Sequence, residues 1–269
     1  MIIVTGTKRS GTSAVMQVLE AAGYSVIGSQ FPRNWRSTLR SANPGGFYES
    51  ILRDGIHKGT NPNPETGTYL RPEEVRRHAV KVFVPGLLQT NPKFIDFIIG
   101  CVRRWQEVEA SAWRLYMLED EARTLEDPNY TPPLRLPPAY RWWIDNYALL
   151  RLLPKYRNKM GLMAYDRLVQ DPTDTTRRLI SFLGDGDWDA AQRAVHAEYR
   201  TQQQTQSDTV EPEIAAVFDE LYDLVYRRKF RLNYLNTLKA TNEKLTPKIQ
   251  ELLIQIKLDQ QYRQQASHQ

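Results

Sequence analysis

The stretch Ile2-Ile3-Val4-Thr5-Gly6-Thr7-Lys8-Arg9-Ser10-Gly11-Thr12-Ser13 decides how this chain folds. Ile2 to Thr5 is a short apolar, β-rich run ended by Gly6, the pattern of a buried strand. From Thr12 the period changes: Val15, Val18, Leu19 and Ala22 fall on one helical face, and Gly23 stands where a C-terminal glycine closes a helix. Tyr24 to Ile27 then reads as a second strand. Strand, glycine turn, helix, strand is a βαβ opening, which implies a parallel sheet covered by helices.

Working outward, Ala79 to Val84, Phe97 to Val102 and Gly161 to Tyr165 read as three further strands. Helices are predicted over Trp105 to Leu118, over Ala139 to Leu153, and from the Asp171-Pro172 cap to Phe182, stopped by Gly184. Gln30 to Thr68 is rich in Asn, Pro, Gly and Ser, with one short helix predicted over Tyr48 to Lys58. Connections this long often form lids or binding segments. Pro72, Glu73 and Glu74 have the composition of a helix start, Asp127 to Pro138 is a proline-rich loop, and Gln202 to Thr209 is a polar linker. Beyond it Ile214, Val217, Phe218, Leu221 and Val225 form a helical stripe.

In the tail, Thr246-Pro247 is a helix start, and Leu245, Ile249, Leu252 and Ile256 form a short heptad-like seam. With only about two heptads, the first expectation is that the tail folds back on its own domain, and the second is a homodimer through this helix. The fold class expected is α/β: a P-loop-type three-layer sandwich with a central, mostly parallel sheet flanked by helices, plus a C-terminal helical tail. Residues 1–232 are expected to form the main domain and 233–269 the helical extension.

Composition limits the partners. The 269 residues carry 36 Lys and Arg against 31 Asp and Glu, a net +5, with 41% hydrophobic and 25% charged residues. That is ordinary globular usage and excludes a disordered or fibrous chain. The mild positive excess suits an anionic ligand but falls short of the concentrated footprint of a nucleic-acid binder. Cys101, the single cysteine, excludes an internal disulfide and a Cys-based zinc site, and points to a reducing, cytoplasmic setting. No run of eighteen apolar residues predicts a membrane span, and no His or carboxylate cluster has metal-ligand spacing.

The first loop has the spacing of a Walker A motif, with four residues between Gly6 and Gly11. Such a loop wraps backbone N–H groups around phosphate oxygens, and the following helix turns its positive end toward them. The hydroxyls of Ser10, Thr12 and Ser13 add donors. NTP-hydrolysing loops need Lys after the second glycine, yet Thr12 stands there and the cation has moved upstream to Arg9.

Lys8-Arg9-Ser10-Gly11-Thr12-Ser13 resembles the phosphosulfate loop of the PAPS-dependent sulfotransferases, PAPS being 3′-phosphoadenylyl sulfate. Three further stretches in the same order resemble that family: Asn43 to Glu49, the strand ending in Val102-Arg103 with Ser111 eight residues on, and Leu162 to Pro172. Trp105 departs from the proline usual there, and Arg104 beside Arg103 leaves open which arginine makes the main contact. The resemblance spans about residues 1–232. It implies PAPS as co-substrate, adenosine 3′,5′-bisphosphate as product, and a small-molecule, glycan or lipid acceptor, with no metal needed for transfer.

By that resemblance Lys8, Arg9, Ser10, Gly11, Thr12 and Ser13 hold the phosphosulfate, and Arg9 also stabilises charge on the leaving phosphate. Arg103 and Ser111 take the 3′-phosphate and Tyr165 lies near the adenine. Glu49 is the first choice of general base, with His57 second on the same predicted helix, and Lys81 polarises the leaving oxygen. His196 and His268 are set aside as remote. The loop from Gln30 to Thr68 and the helix with Trp142, Trp143 and Tyr147 are expected to shape the acceptor pocket. A P-loop small-molecule kinase and a non-catalytic nucleotide-binding scaffold are the alternative readings.

Overall fold

Side chains alternate across the strands and feed two different cores, which sets the layering. In β1 (Ile2–Gly6), Ile2 and Val4 pack on one face and Ile3 on the other. The computed structural model describes residues 1–32, 35–200, 202–203 and 206–266, so His268 and residues 204–205 of the polar linker lie outside the described residues. With β2 (Ser25–Ile27), β3 (His78–Lys81), β4 (Phe97–Val102) and β5 (Met160–Ala164), β1 forms a five-stranded, wholly parallel sheet in the order β2-β3-β1-β4-β5. The expected α/β sandwich is the observed architecture.

Helices cover both faces. Helix α1 (Thr12–Ala21) links β1 to β2. A one-turn α2 (Trp35–Thr38) lies in the long connection before β3, and α3 (Val84–Gln89) precedes β4. Between β4 and β5 run α4 (Trp105–Glu126) and α5 (Pro138–Leu150). After β5 come α6 (Tyr165–Gln170), α7 (Pro172–Leu183), α8 (Trp188–Arg193), α9 (Pro212–Tyr226) and α10 (Leu235–Ala266). Val15, Val18 and Leu19 of α1 pack with Leu179, Ile180 and Ala191 against Ile2, Val4 and Ile99. On the opposite face Leu87 and Leu149 meet Ile3, Val80 and Ile98. The same side continues into an aromatic core where Trp143 stacks on Phe218 at 5.0 Å.

Several local expectations differ. The Tyr48 to Lys58 segment holds only a 3₁₀ turn at Ile51–Asp54. Gly55, at φ +106°, ends it where any Cβ would lie 2.4 Å from the Gly86 carbonyl oxygen. Pro72 to Glu74 forms turns and no helix. Val84, read as a strand end, starts α3 instead, with Pro85 in the first turn where its missing N–H costs nothing. Pro247, read as a helix start, sits inside α10. The proline is tolerated there because Leu238, Leu245 and Ile249 are buried in the core on either side of it. Leu252 and Ile256 pack partly against the same core, so the seam meets the chain's own domain. No helix among the described residues is long and apolar enough to cross a membrane.

Candidate functional site

Four adjacent strands end at one edge, and the residues that follow them line one cleft. Gly6 ends β1 and Thr7 to Arg9 and Gly11 to Ser13 follow it, Lys81 ends β3, Arg103 follows β4, and Tyr165 follows β5. The loop turns tightly: the Ser10 N–H donates to the Thr7 carbonyl at 3.1 Å, and Arg9 takes φ +73°, an uncommon left-handed conformation for a non-glycine residue. Gly11, at φ +95°, is the position before α1, and no side chain caps that helix. A Cβ on Gly11 would meet the Tyr165 ring at 2.4 Å. The ring therefore packs directly on the Gly11 backbone, beside the N-terminal end of α1, whose positive end no side chain caps. The Ser10 hydroxyl is buried with no hydrogen-bond partner among the described residues.

Arg9 is held from two sides. Its Nε donates to Ser111 Oγ at 2.9 Å and its Nη2 to the Ala42 carbonyl at 2.5 Å. Desolvation, aided by the Arg103 charge, draws the guanidinium down to about 10, so it stays cationic at neutral pH. Lys8 is exposed, its Nζ 5.6 Å from the centre of the Phe83 ring.

Across the cleft, Lys81 donates to Glu49 Oε1 at 2.6 Å and to the Phe47 carbonyl at 2.7 Å, all three groups buried. Burial pulls the Lys81 ammonium below the usual lysine range while Glu49 opposes the shift. Glu49 Oε2 has no hydrogen-bond partner among the described residues; the Arg53 guanidinium stands 3.9 Å away. The Asn43 to Glu49 segment builds this pair. Asn43 Nδ2 donates to the Gly46 carbonyl at 2.6 Å to close the turn, and a two-residue bridge between Ser29 and Glu49 pins its end. The Ser13 hydroxyl reaches the Phe47 carbonyl at 3.3 Å, tying α1 to the same segment.

His57 is not brought to the cleft. It lies beyond the Gly55 turn, and its Nδ1 accepts the Gly59 N–H at 3.1 Å. Arg103 and Ser111 do not converge on one space either. Ser111 serves Arg9, whereas Arg103 donates from Nε to Glu107 Oε2 at 2.8 Å and from Nη2 to the Gln202 carbonyl at 2.8 Å. Its Nη1 lies 3.4 Å from the Arg9 carbonyl, and its guanidinium sits 4.6 Å from the centre of the Tyr165 ring. Arg104 turns away to Asp166 and the Tyr222 ring, so Arg103 is the arginine that lines the cleft. Trp142 and Trp143 are wholly buried and do not line it; Trp142 Nε1 instead holds the Arg103 carbonyl at 2.8 Å. Of the long connection, Trp35, Leu39 and Phe47 supply an apolar wall.

Four residues in or beside the cleft carry no motif. His196 and Tyr199, from a 3₁₀ turn (Ala197–Tyr199) and the residue before it, line the cleft with rings stacked at 4.7 Å, which corrects the reading of His196 as remote. Arg200 next to them bridges Glu107 at 2.5 Å and Asp166 at 2.8 Å. Below the loop, the Thr7 hydroxyl donates to Asp145 Oδ2 at 2.7 Å, both residues buried, and burial lifts the Asp145 carboxyl to about 6.

No family model matches the chain, and no curated protein matches it. Among solved structures, the chain is similar to a crystal structure of retinol dehydratase in complex with androsterone and inactive cofactor PAP. That similarity covers 95% of this chain and 80% of that one, at 14% identity and a TM-score of 0.40. At this level the likeness bears neither on the fold nor on the ligand of this chain.

Proposed function

We propose that this chain is a sulfotransferase that moves a sulfuryl group from PAPS to a hydroxyl or amine of a small-molecule, glycan or lipid acceptor. The observation that carries the reading is one cleft with a phosphate loop, bearing Thr12 in place of a lysine after its second glycine, at the open end of α1 on one side and the buried Lys81–Glu49 pair on the other. The loop fits a phosphosulfate: a bare helix end, a glycine whose Cβ would strike Tyr165, and an orphaned Ser10 hydroxyl. The far end fits less completely, since Arg103 is already paired with Glu107.

Transfer forms a bond from the acceptor oxygen or nitrogen to sulfur and breaks the bond from sulfur to the bridging phosphate oxygen, which keeps the electron pair. Glu49 Oε2 takes the acceptor's proton, because Oε1 is committed to Lys81. Lys81 uses two of its three N–H donors on Phe47 and Glu49 and keeps the third for the leaving phosphate. Arg9, held by Ser111 and Ala42, adds charge with little reorganisation.

Isothermal titration with adenosine 3′,5′-bisphosphate tests the reading. Saturable binding is expected, and no heat at millimolar ligand sinks it. A melting shift with Mg-ATP but none with the bisphosphate moves the assignment to a P-loop kinase.

A further inference from the structure

Glu107 is a carboxylate in an unexpected place. It lies on α4, 1% exposed, directly behind the cleft, with Oε2 on Arg103 Nε at 2.8 Å and Oε1 on Arg200 Nη2 at 2.5 Å. Arg103 lines the cleft, and Arg200 follows Tyr199, which also lines it. Every nitrogen of Arg103 is engaged by the protein: by Glu107, by the Gln202 carbonyl and by the Arg9 carbonyl. Arg200 Nε is buried with no hydrogen-bond partner among the described residues. Two arginines at the edge of an anion-binding cleft are thus neutralised from within, while the loop at α1 is not.

We infer that Glu107 sets donor specificity: it competes with a second anionic group on the ligand for Arg103 and Arg200. A ligand with one phosphate needs only the loop. A ligand with a second phosphate meets arginines whose charge Glu107 already offsets, so the second group adds less affinity than two unpaired arginines would give it. The orphaned Arg200 Nε gives that group a donor which Glu107 does not occupy. The inference rests on the sulfotransferase reading, in which the donor carries a 3′-phosphate beside its 5′-phosphosulfate.

The test compares adenosine 5′-monophosphate with adenosine 3′,5′-bisphosphate by titration calorimetry, so that the ratio of the two dissociation constants isolates the 3′-phosphate. In Glu107→Gln, an isosteric change that leaves Arg200 paired with Asp166, the preference for the bisphosphate is expected to rise about tenfold, as one charge-assisted contact is freed. An unchanged or smaller preference overturns the inference and makes Glu107 a strut that merely holds the arginines in place. Should Glu107→Gln fail to fold, Arg200→Gln decides. Competition predicts that Glu107 then pairs wholly with Arg103 and the preference falls toward one, whereas an unchanged preference overturns the inference. Failure of the sulfotransferase reading looks different: folded wild type and Glu107→Gln then both bind neither nucleotide.

Discussion

Asp145 links the chemistry of one residue to the phosphate loop. Its carboxyl accepts the Thr7 hydroxyl, and burial raises it from the usual 3.8 to about 6, against the pull of Thr7, Arg141 and Lys8. A folded value above the unfolded one means that the folded chain holds the proton more tightly. The resulting stability is full below about pH 4 and is lost as pH rises through 6. At pH 7.5 the buried charge therefore costs on the order of 3 kcal/mol relative to a neutral isostere. Asp145→Asn keeps an acceptor for Thr7, so it should be more stable than wild type at pH 7.5 by roughly that amount, with the gap closing near pH 4. Urea denaturation at the two pH values reads this directly, and a gap independent of pH would refute it. Glu49 gives the second expectation at this scale. On the proposed sulfotransferase reading, Glu49→Gln should lower the rate of sulfuryl transfer by about 10²–10⁴-fold while leaving bisphosphate binding nearly intact, because in that reading the lost group handles the proton and not the donor. Equal losses in rate and in binding would make Glu49 only a partner for Lys81.

Among the elements, the strands and the loop were legible in the sequence and the later helices only in part. Ile2 to Thr5 and Phe97 to Val102 announce themselves because a strand buried on both faces is a short apolar run, and Gly6 and Gly11 mark the turn that only glycine can make there. Helix α3 was hidden because Val82-Phe83-Val84 continues the apolar run of β3, and only the close approach of Gly55 to Gly86 shows the chain turning. The start of α10 was hidden by Pro247, whose usual place is a helix's first turn. Glu107 and Asp145 carry no sequence signal, since nothing local reports that α4 and α5 are buried against the loop. For α10 the packing makes a clear expectation. Leu245 is 6% exposed in the aromatic core, whereas Ile254 is 60% exposed one helical stretch later. Leu245→Ala should cost roughly 2–4 kcal/mol in denaturant unfolding, and Ile254→Ala less than about 0.5. Similar costs at both sites would mean that the distal half of α10 is also covered, as in the homodimer considered for this helix, and light scattering would then show two chains.

At the scale of the molecule the net +5 matters less than where the charge sits. Among the described residues, Lys8, Arg9, Arg53, Lys81 and Arg103 line the cleft against two carboxylates, Glu49 and Glu119, and the open end of α1 adds its dipole to theirs. The cleft lies where four parallel strands end, so its low-dielectric walls focus this field outward toward an approaching anion. Screening length falls from about 10 Å at 0.1 M salt to about 3 Å at 1 M. The rim charges thus lose their reach at high salt while the buried Lys81 and Arg103 do not. Bisphosphate affinity should therefore drop several-fold, on the order of tenfold, between 0.05 and 0.5 M sodium chloride and then level off. Arg53, 42% exposed at the rim, is the residue to remove. Arg53→Gln should flatten the salt slope with little effect on the high-salt plateau, and Lys257→Gln, exposed on the distal part of α10, should leave the slope alone. If both substitutions change the slope equally, the attraction comes from net charge alone, and the clustering of cations at the strand ends has no part in recruiting the ligand.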